Sequence, residues 1–143
     1  MTLLRYKRGI TESIPATTIQ PPANPLELTS AMIFAGMFVL ISLASTWVQR
    51  EIGQSGIYAL AAFVGIGDVD PFVLNLAEGG VATMPIASAA GAVLIASSSN
   101  NLLKAIYTGA FAGWRQSTMP ILALSLLAAL GLGVALWITQ GSV

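Results

Sequence analysis

The chain contains long stretches without a charged residue, and these limit its possible folds more than any other feature. Residues 28–49 carry no charge, and neither do residues 118–139 near the C-terminus. About 20 apolar residues in a helix cross the hydrocarbon core of a bilayer. The whole chain is 55% hydrophobic and 8% charged, whereas about a quarter of the residues of a soluble domain are charged. The sequence therefore predicts an all-α integral membrane protein with about four transmembrane helices in contact with lipid.

The missing residue types exclude several kinds of chemistry. The chain has no Cys and no His, so thiol catalysis and imidazole metal ligands are excluded within it. Any metal would be held by oxygen ligands, which favours a hard cation such as Mg²⁺. No nucleophile–base spacing is visible, so we expect neither an enzyme nor a resident cofactor. The net charge is zero and the basic residues form no stripe, so we expect no nucleic-acid partner.

The chain divides into a polar leader and a helical membrane domain. Residues 1–23 are polar and contain prolines, and we interpret them as a tail or linker. Residues 24–143 form the predicted transmembrane domain. Its hydrophobic regions are expected at about 26–48, 57–77, 83–113 and 118–139.

The second hydrophobic region is interrupted by residues that do not suit a smooth helix. Gly65-Ile66-Gly67 gives the backbone conformational freedom, and Asp70-Pro71 is typical of a helix start with Asp70 as the N-cap. The favoured interpretation is a discontinuous transmembrane helix with its break near Gly65–Pro71, and a re-entrant hairpin is the alternative. Either one requires the freed backbone to be buried in protein or to face a water-filled cavity.

Two polar clusters are predicted at similar depth. Carboxylates within an apolar run are energetically costly and by default mark functional sites in membrane proteins. The candidate site residues are Asp68 and Asp70 at the break, with Ser97, Asn100, Asn101 and Lys104 on the third span. We expect carbonyls of the break, the carboxylate of Asp68 and an asparagine amide to form an oxygen-rich nest for a cation, with Lys104 as the counter-charge.

Each of these residues also has a purely structural interpretation. Asp70 would cap a helix, an Asp–Lys pair would clasp two helices, and Ser and Asn side chains commonly hydrogen-bond neighbouring helices. Asp68 is the residue that these interpretations explain least, because it is not the predicted cap. Two functions therefore stay open: an ion-transport or channel subunit, and a non-transporting subunit that regulates or scaffolds a partner.

Basic residues give a weak indication of orientation. Three of them precede the first span, whereas Arg50 and Arg115 lie on the other side if the second region crosses the membrane. Since cytoplasmic segments carry an excess of Lys and Arg, the sequence favours a cytoplasmic N-terminus.

Three motifs resemble those of a bacterial family. They are Asn24-Pro-Leu-Glu-Leu28, Gly65-Ile-Gly-Asp-Val-Asp-Pro-Phe72 and Asn100-Asn-Leu-Leu-Lys104. Together they resemble a DUF4010-type membrane domain of unknown function, which often forms the C-terminal half of MgtC/SapB-family proteins. The resemblance spans about residues 24–113 and adds Asn24 and Glu27 to the polar positions named above.

The resemblance implies a multi-pass protein of the bacterial inner membrane. Through the MgtC association alone it implies a connection with magnesium homeostasis or membrane energetics. The expected partner is a second copy or a second membrane subunit such as an MgtC-type domain, because four helices leave little room for a pore. The chain begins at its own methionine without an MgtC-type half, so a partner-dependent subunit, a split version and a fragment are open alternatives.

Overall fold

A computed structural model describes residues 25–81 and 83–140 of the chain. These residues form five helices and, within the described ranges, no strand, which confirms the predicted all-α architecture. The helices are α1 (Pro25–Glu51), α2 (Gln54–Val64), α3 (Asp70–Ala77), α4 (Ile86–Ala112) and α5 (Thr118–Gln140). The predicted roles of Asn24 and of the leader, and the side chain of Glu27, lie outside the described residues.

Three of the helices are long and apolar enough to cross a membrane. These are α1, α4 and α5, and their exposed surfaces consist largely of big apolar side chains, such as Leu40 on α1 and Trp137 on α5. Such surfaces suit lipid rather than water. The membrane-spanning helices have two ends, one at each side of the membrane. We call the side at which α1 begins the proximal face and the side at which α1 ends the distal face.

The first part of the second hydrophobic region, α2, runs parallel to α4. At the start of both helices, Gln54 Nε2 donates a hydrogen bond of 2.7 Å to Ser88 Oγ. Further along, Ser99 Oγ donates a hydrogen bond of 2.8 Å to the carbonyl of Ala62. Since α2 follows the end of α1, both α2 and α4 start at the distal face.

The second part, α3, returns the chain to the distal face. Gly80 and Val81, which follow α3, line one cavity together with Thr46 and Gln49 near the end of α1. Helices α2 and α3 therefore form a re-entrant hairpin with its turn at residues 65–69. At 11 and 8 residues, they are about 16 and 12 Å long, so each is too short to cross the membrane alone.

The break predicted near Gly65–Pro71 is thus confirmed, and of the two interpretations the structure adopts the hairpin. The described residues accordingly offer three candidate spans and one hairpin instead of four spans. Helix α5 runs antiparallel to α4, because Gly131 lies against Ser98 and Gly91 lies against Thr139. Helix α5 consequently ends at the distal face, opposite to the start of α1.

The hairpin lies at the centre of the core. Helix α1 packs on one side of it and α4 on the other, while α5 packs on α4. The buried apolar cluster draws on all of these helices except α5: Ile41, Ile57, Ala61, Phe72, Leu76, Val81, Ala92 and Ala96. On α4, the small residues Ser88, Gly91 and Ala92 are buried, which lets the neighbouring backbones approach closely.

Candidate polar site at the hairpin tip

The hairpin tip lies about halfway through the protein. Gly67 and Asp68 at the tip line a groove with Met37 and Ile41, which lie near the middle of the 27-residue helix α1. The 16 Å length of α2 also amounts to roughly half of a 30 Å hydrocarbon core. The non-helical backbone of the tip is therefore placed where water from either face is most distant.

Helix α4 binds the tip through two adjacent polar side chains. Ser99 bonds the carbonyl of Ala62, as described above, and Asn100 Nδ2 donates to the carbonyls of Gly65 and Gly67, both at 3.2 Å. The carbonyls at the end of a helix have no partner within the helix. No water is available in a bilayer core. The side chains of Ser99 and Asn100 therefore satisfy backbone carbonyls of the hairpin that would otherwise stay unpaired.

Two further carbonyls of the turn are satisfied within the turn itself. Ile66 N–H donates to the carbonyl of Phe63 at 3.1 Å, and Gly67 N–H donates to the carbonyl of Val64 at 2.9 Å. The expected nest of free carbonyls at residues 64–66 is thus largely occupied by protein donors. A cation bound to the carbonyl of Gly65 would have to compete with the amide of Asn100.

Gly65 is required for steric reasons. Its φ of −58° is one that any residue adopts, so the predicted need for unusual backbone freedom does not apply at this position. A Cβ on Gly65 would instead collide with the carbonyl of Ala96 and lie 2.7 Å from Ser99 Cβ. The glycine allows α2 and α4 to approach closely enough for the Ser99 hydrogen bond.

The two aspartates of the turn differ in their contacts. Asp68 Oδ1 accepts a hydrogen bond of 3.1 Å from the backbone N–H of Asp70. Val69 occupies the N-cap position of α3, and Asp70 is the first residue of that helix. The helix start is therefore one residue earlier than predicted, and the carboxylate that bonds its backbone belongs to Asp68 rather than to Asp70. Asp70 adds negative charge to the first turn of α3, where the helix dipole favours it.

The carboxylate of Asp68 is also open to its surroundings. Asp68 is exposed and lines the groove at the tip, which has a volume of about 380 Å³ and is otherwise formed mainly by apolar residues such as Phe63 and Ile66. At this depth, a charged side chain in contact with lipid raises the free energy of the protein, whereas contact with water or a polar partner lowers it.

Lys104 lies one helical turn beyond Asn100 on α4 and is exposed. Within residues 28–81 and 83–140, no ion pair joins it to Asp68 or Asp70, so the expected intrachain Asp–Lys pair is not formed. Lys104 lies one helical turn closer to the proximal face than Asn100, which contacts the turn of the hairpin. The hairpin therefore does not cover Lys104. Ser97 and Asn101 are half-buried and form no side-chain hydrogen bond with the described residues.

The structure thus brings Asp68 and Asn100 to the same turn and leaves Ser97, Asn101 and Lys104 outside its hydrogen bonds. Ser99 was not among the predicted site residues, although it lies between Ser97 and Asn100, which were. In the described part of the chain, no group of three or more acidic residues is placed to hold a metal ion. The tip therefore offers two exposed carboxylates, of which only that of Asp68 lines the groove, rather than a complete metal site.

Comparison with known proteins locates these features within a family. The sequence model of the family described as "Domain of unknown function (DUF4010)" matches residues 1–112, which include the hairpin and α4. An uncharacterized protein of Aquifex aeolicus (strain VF5) is 35% identical over 85 residues, or 59% of this chain and 37% of that protein. The chain therefore matches little more than a third of the length of that relative. No solved structure shows a significant match. The chain belongs to the DUF4010 family.

Proposed function

We propose that the chain is a non-enzymatic subunit of an ion-transport or channel assembly in which Asp68 binds a cation at mid-membrane depth. One observation supports this proposal above the others. The re-entrant hairpin places a carboxylate at its tip, and Ser99 and Asn100 hold the turn so that the carboxylate faces an open groove.

The energetic argument concerns the surroundings of that carboxylate. An Asp at the centre of a membrane helix costs roughly 2.5–3.5 kcal/mol on scales derived from insertion experiments. Non-helical backbone at this depth occurs where protein buries it or where it lines a water-filled cavity. Ile66, Gly67 and Asp68 are all exposed in the single chain. Water, a second copy of the chain or a second membrane subunit such as an MgtC-type domain would complete their environment.

The hairpin also strengthens the orientation inferred from basic residues. With residues 54–77 re-entering, Arg115 lies between α4 and α5 at the proximal face, where α1 begins, and three basic residues precede α1 in the sequence. Arg50 is then the single basic residue at the distal face, so the balance becomes four against one. Since cytoplasmic segments are enriched in Lys and Arg, we assign the N-terminus to the cytoplasm of a bacterial cell and the end of α5 to the opposite side.

A hard cation such as Mg²⁺ fits the chemistry of the tip. Mg²⁺ sites commonly use one or two carboxylates and keep several waters, and Asp68 with the nearby Asp70 could supply such ligands. The link to magnesium homeostasis rests on the association of the family with MgtC/SapB-type domains.

A second candidate function is a non-transporting subunit that regulates or scaffolds a partner. The observation that favours it is the hydrogen bond from Asp70 N–H to Asp68 Oδ1, because it gives the carboxylate a structural use. In that case the contacts of Ser99 and Asn100 would hold the helices together.

Cation flux into proteoliposomes distinguishes these functions. Asp68→Asn removes the charge but keeps an oxygen for the N–H of Asp70, and Glu78→Gln is the control because Glu78 is exposed in the turn after α3. We expect Mg²⁺ or monovalent-cation flux to fall at least about tenfold in Asp68→Asn and to be unchanged in Glu78→Gln. Equal flux in Asp68→Asn and the wild type would refute the role of Asp68. Wild-type flux no higher than that of empty liposomes would favour the non-transporting subunit.

A further inference from the structure

One face of α4 carries three polar side chains that the hairpin does not use. Ser97, Asn101 and Lys104 follow one another at intervals of four and three residues, so they lie on the same face of the helix. Ser97 and Asn101 are half-buried and Lys104 is exposed. Within residues 28–81 and 83–140, none of the three side chains forms a hydrogen bond or an ion pair. We call these three residues the polar stripe.

The polar stripe lies between the two helices that pack on either side of this part of α4. Val93, one turn before Ser97 on a similar face, lines an apolar groove together with residues of α3 such as Val73. Ser98, on the next face of α4, lies against Gly131 of α5. The stripe therefore continues the α3 groove towards the proximal face, with α5 on its other side.

The polar stripe is better suited to a polypeptide than to lipid. Helix α4 is one of the three candidate spans, so the stripe lies within the membrane. Lipid tails offer no hydrogen bond to Ser97 or Asn101 and no counter-charge to Lys104. In membranes, Ser and Asn side chains commonly hydrogen-bond across helices that pack together. The stripe therefore indicates a contact with a helix of another subunit.

Orientation and symmetry favour a second copy of this chain as that subunit. Copies that follow the distribution of Lys and Arg all insert the same way round, so a two-fold axis that relates two of them is normal to the membrane. A rotation about this axis keeps every residue at its own depth. Asn101 of both copies can then meet at the axis, where the amide, which has donors and an acceptor, is complementary to itself.

Asp70 provides the charge that is complementary to Lys104. It is exposed at the start of α3, and its carboxylate bonds none of the described residues, whereas Asp68 lines the groove beside α1. Lys104 lies about 6 Å along α4 from Asn100, which bonds the hairpin turn, and its flexible four-carbon stem can span this difference in depth. We propose that two copies of the chain pack through their polar stripes, with Lys104 of each copy paired with Asp70 of the other.

Disulfide formation between single cysteines in membranes tests this contact, since the chain has no native Cys. Membranes are used because dilution into excess detergent separates the copies by mass action. Asn101→Cys lies at the proposed axis. Leu102→Cys is the matched control, because Leu102 is exposed at nearly the same depth but lies on another face of α4. On oxidation, we expect at least about tenfold more linked dimer from Asn101→Cys than from Leu102→Cys, and Ser97→Cys replaces Asn101→Cys if that variant does not insert.

The ion pair is tested in the Asn101→Cys background. Asp70→Lys places like charges opposite each other, so we expect the yield of linked dimer to fall at least about tenfold, and Asp70→Lys combined with Lys104→Asp should restore it. Equal yields from Asn101→Cys and Leu102→Cys would overturn the dimer and assign the stripe to a different subunit. A yield that Asp70→Lys does not change would overturn the ion pair. Neither result depends on cation flux, so the role of Asp68 is decided separately.

Discussion

Replacing Asn100 by Ala removes the side chain that connects two carbonyls of the hairpin tip to α4. Asn100 Nδ2 donates to Gly65 and Gly67 at 3.2 Å each. No backbone amide is seen to replace it at either carbonyl among the bonds of the turn. The variant therefore leaves both acceptors unpaired at a depth that water does not readily reach.

The expected loss of stability follows from these two bonds. A hydrogen bond between helices in a membrane contributes about 0.6 kcal/mol on average and up to about 1.7 kcal/mol, and an acceptor left unpaired adds a desolvation penalty. We expect Asn100→Ala to lower the free energy of unfolding by about 2 kcal/mol. Asn101→Ala is the matched control, because Asn101 is half-buried beside it and bonds none of the described residues. We expect that variant to change the free energy by less than about 0.5 kcal/mol.

The assay is equilibrium unfolding of the purified chain in mixed micelles, followed by circular dichroism at increasing denaturing detergent. The same residue type is removed at two adjacent positions, so differences in helix propensity cancel. A larger loss in Asn101→Ala than in Asn100→Ala would show that the other face of α4 meets the hairpin. Equal losses would show that the tip does not depend on the Asn100 amide. Either result would refute the account of how the turn is held.

Two further predictions concern glycine and aspartate at the tip. We expect Gly65→Ala to lower the free energy of unfolding by about 1–3 kcal/mol, because the added Cβ would collide with the backbone of α4. Gly133→Ala is the control: its Cβ would have nothing within 4 Å, so we expect no loss, or a gain of up to about 1 kcal/mol from higher helix propensity. The same unfolding assay measures both variants, and an unchanged stability of Gly65→Ala would contradict the close approach of α2 and α4. We expect Asp68→Ala to lower the free energy of unfolding by about 1 kcal/mol because the hydrogen bond from Asp70 N–H is lost, and Asp68→Asn to lower it less because the acceptor is kept. Equal losses would mean that the charge rather than the hydrogen bond stabilises the start of α3.

The spans and the break were predictable because they depend on local composition. Residues 28–49 and 118–139 lack charge, and Asp70-Pro71 favours a helix start wherever the chain goes next. The direction of the chain after the break was not predictable. A helix that continues across the membrane and a helix that turns back to the same side can have the same local sequence. Contacts between residues more than 30 positions apart decide it, such as Gln54 with Ser88.

The site was predicted in part for a related reason. Helical periodicity shows which residues of α4 share a face, but not which face meets the hairpin. Ser97, Asn100, Asn101 and Lys104 were therefore equally acceptable as site residues. The structure uses Asn100 and its neighbour Ser99.

The re-entrant hairpin is the central claim, because the depth of Asp68 and the assignment of faces depend on it. Labelling of single cysteines with a membrane-impermeant maleimide tests it directly, since the chain has no native Cys. Suitable positions are Ser55→Cys, Glu78→Cys and Gln116→Cys, all exposed and close to helix ends. The hairpin predicts that positions 55 and 78 react from one side of the membrane and position 116 from the other. Reaction of positions 55 and 116 from the same side, with position 78 opposite, would show a discontinuous span and contradict the account.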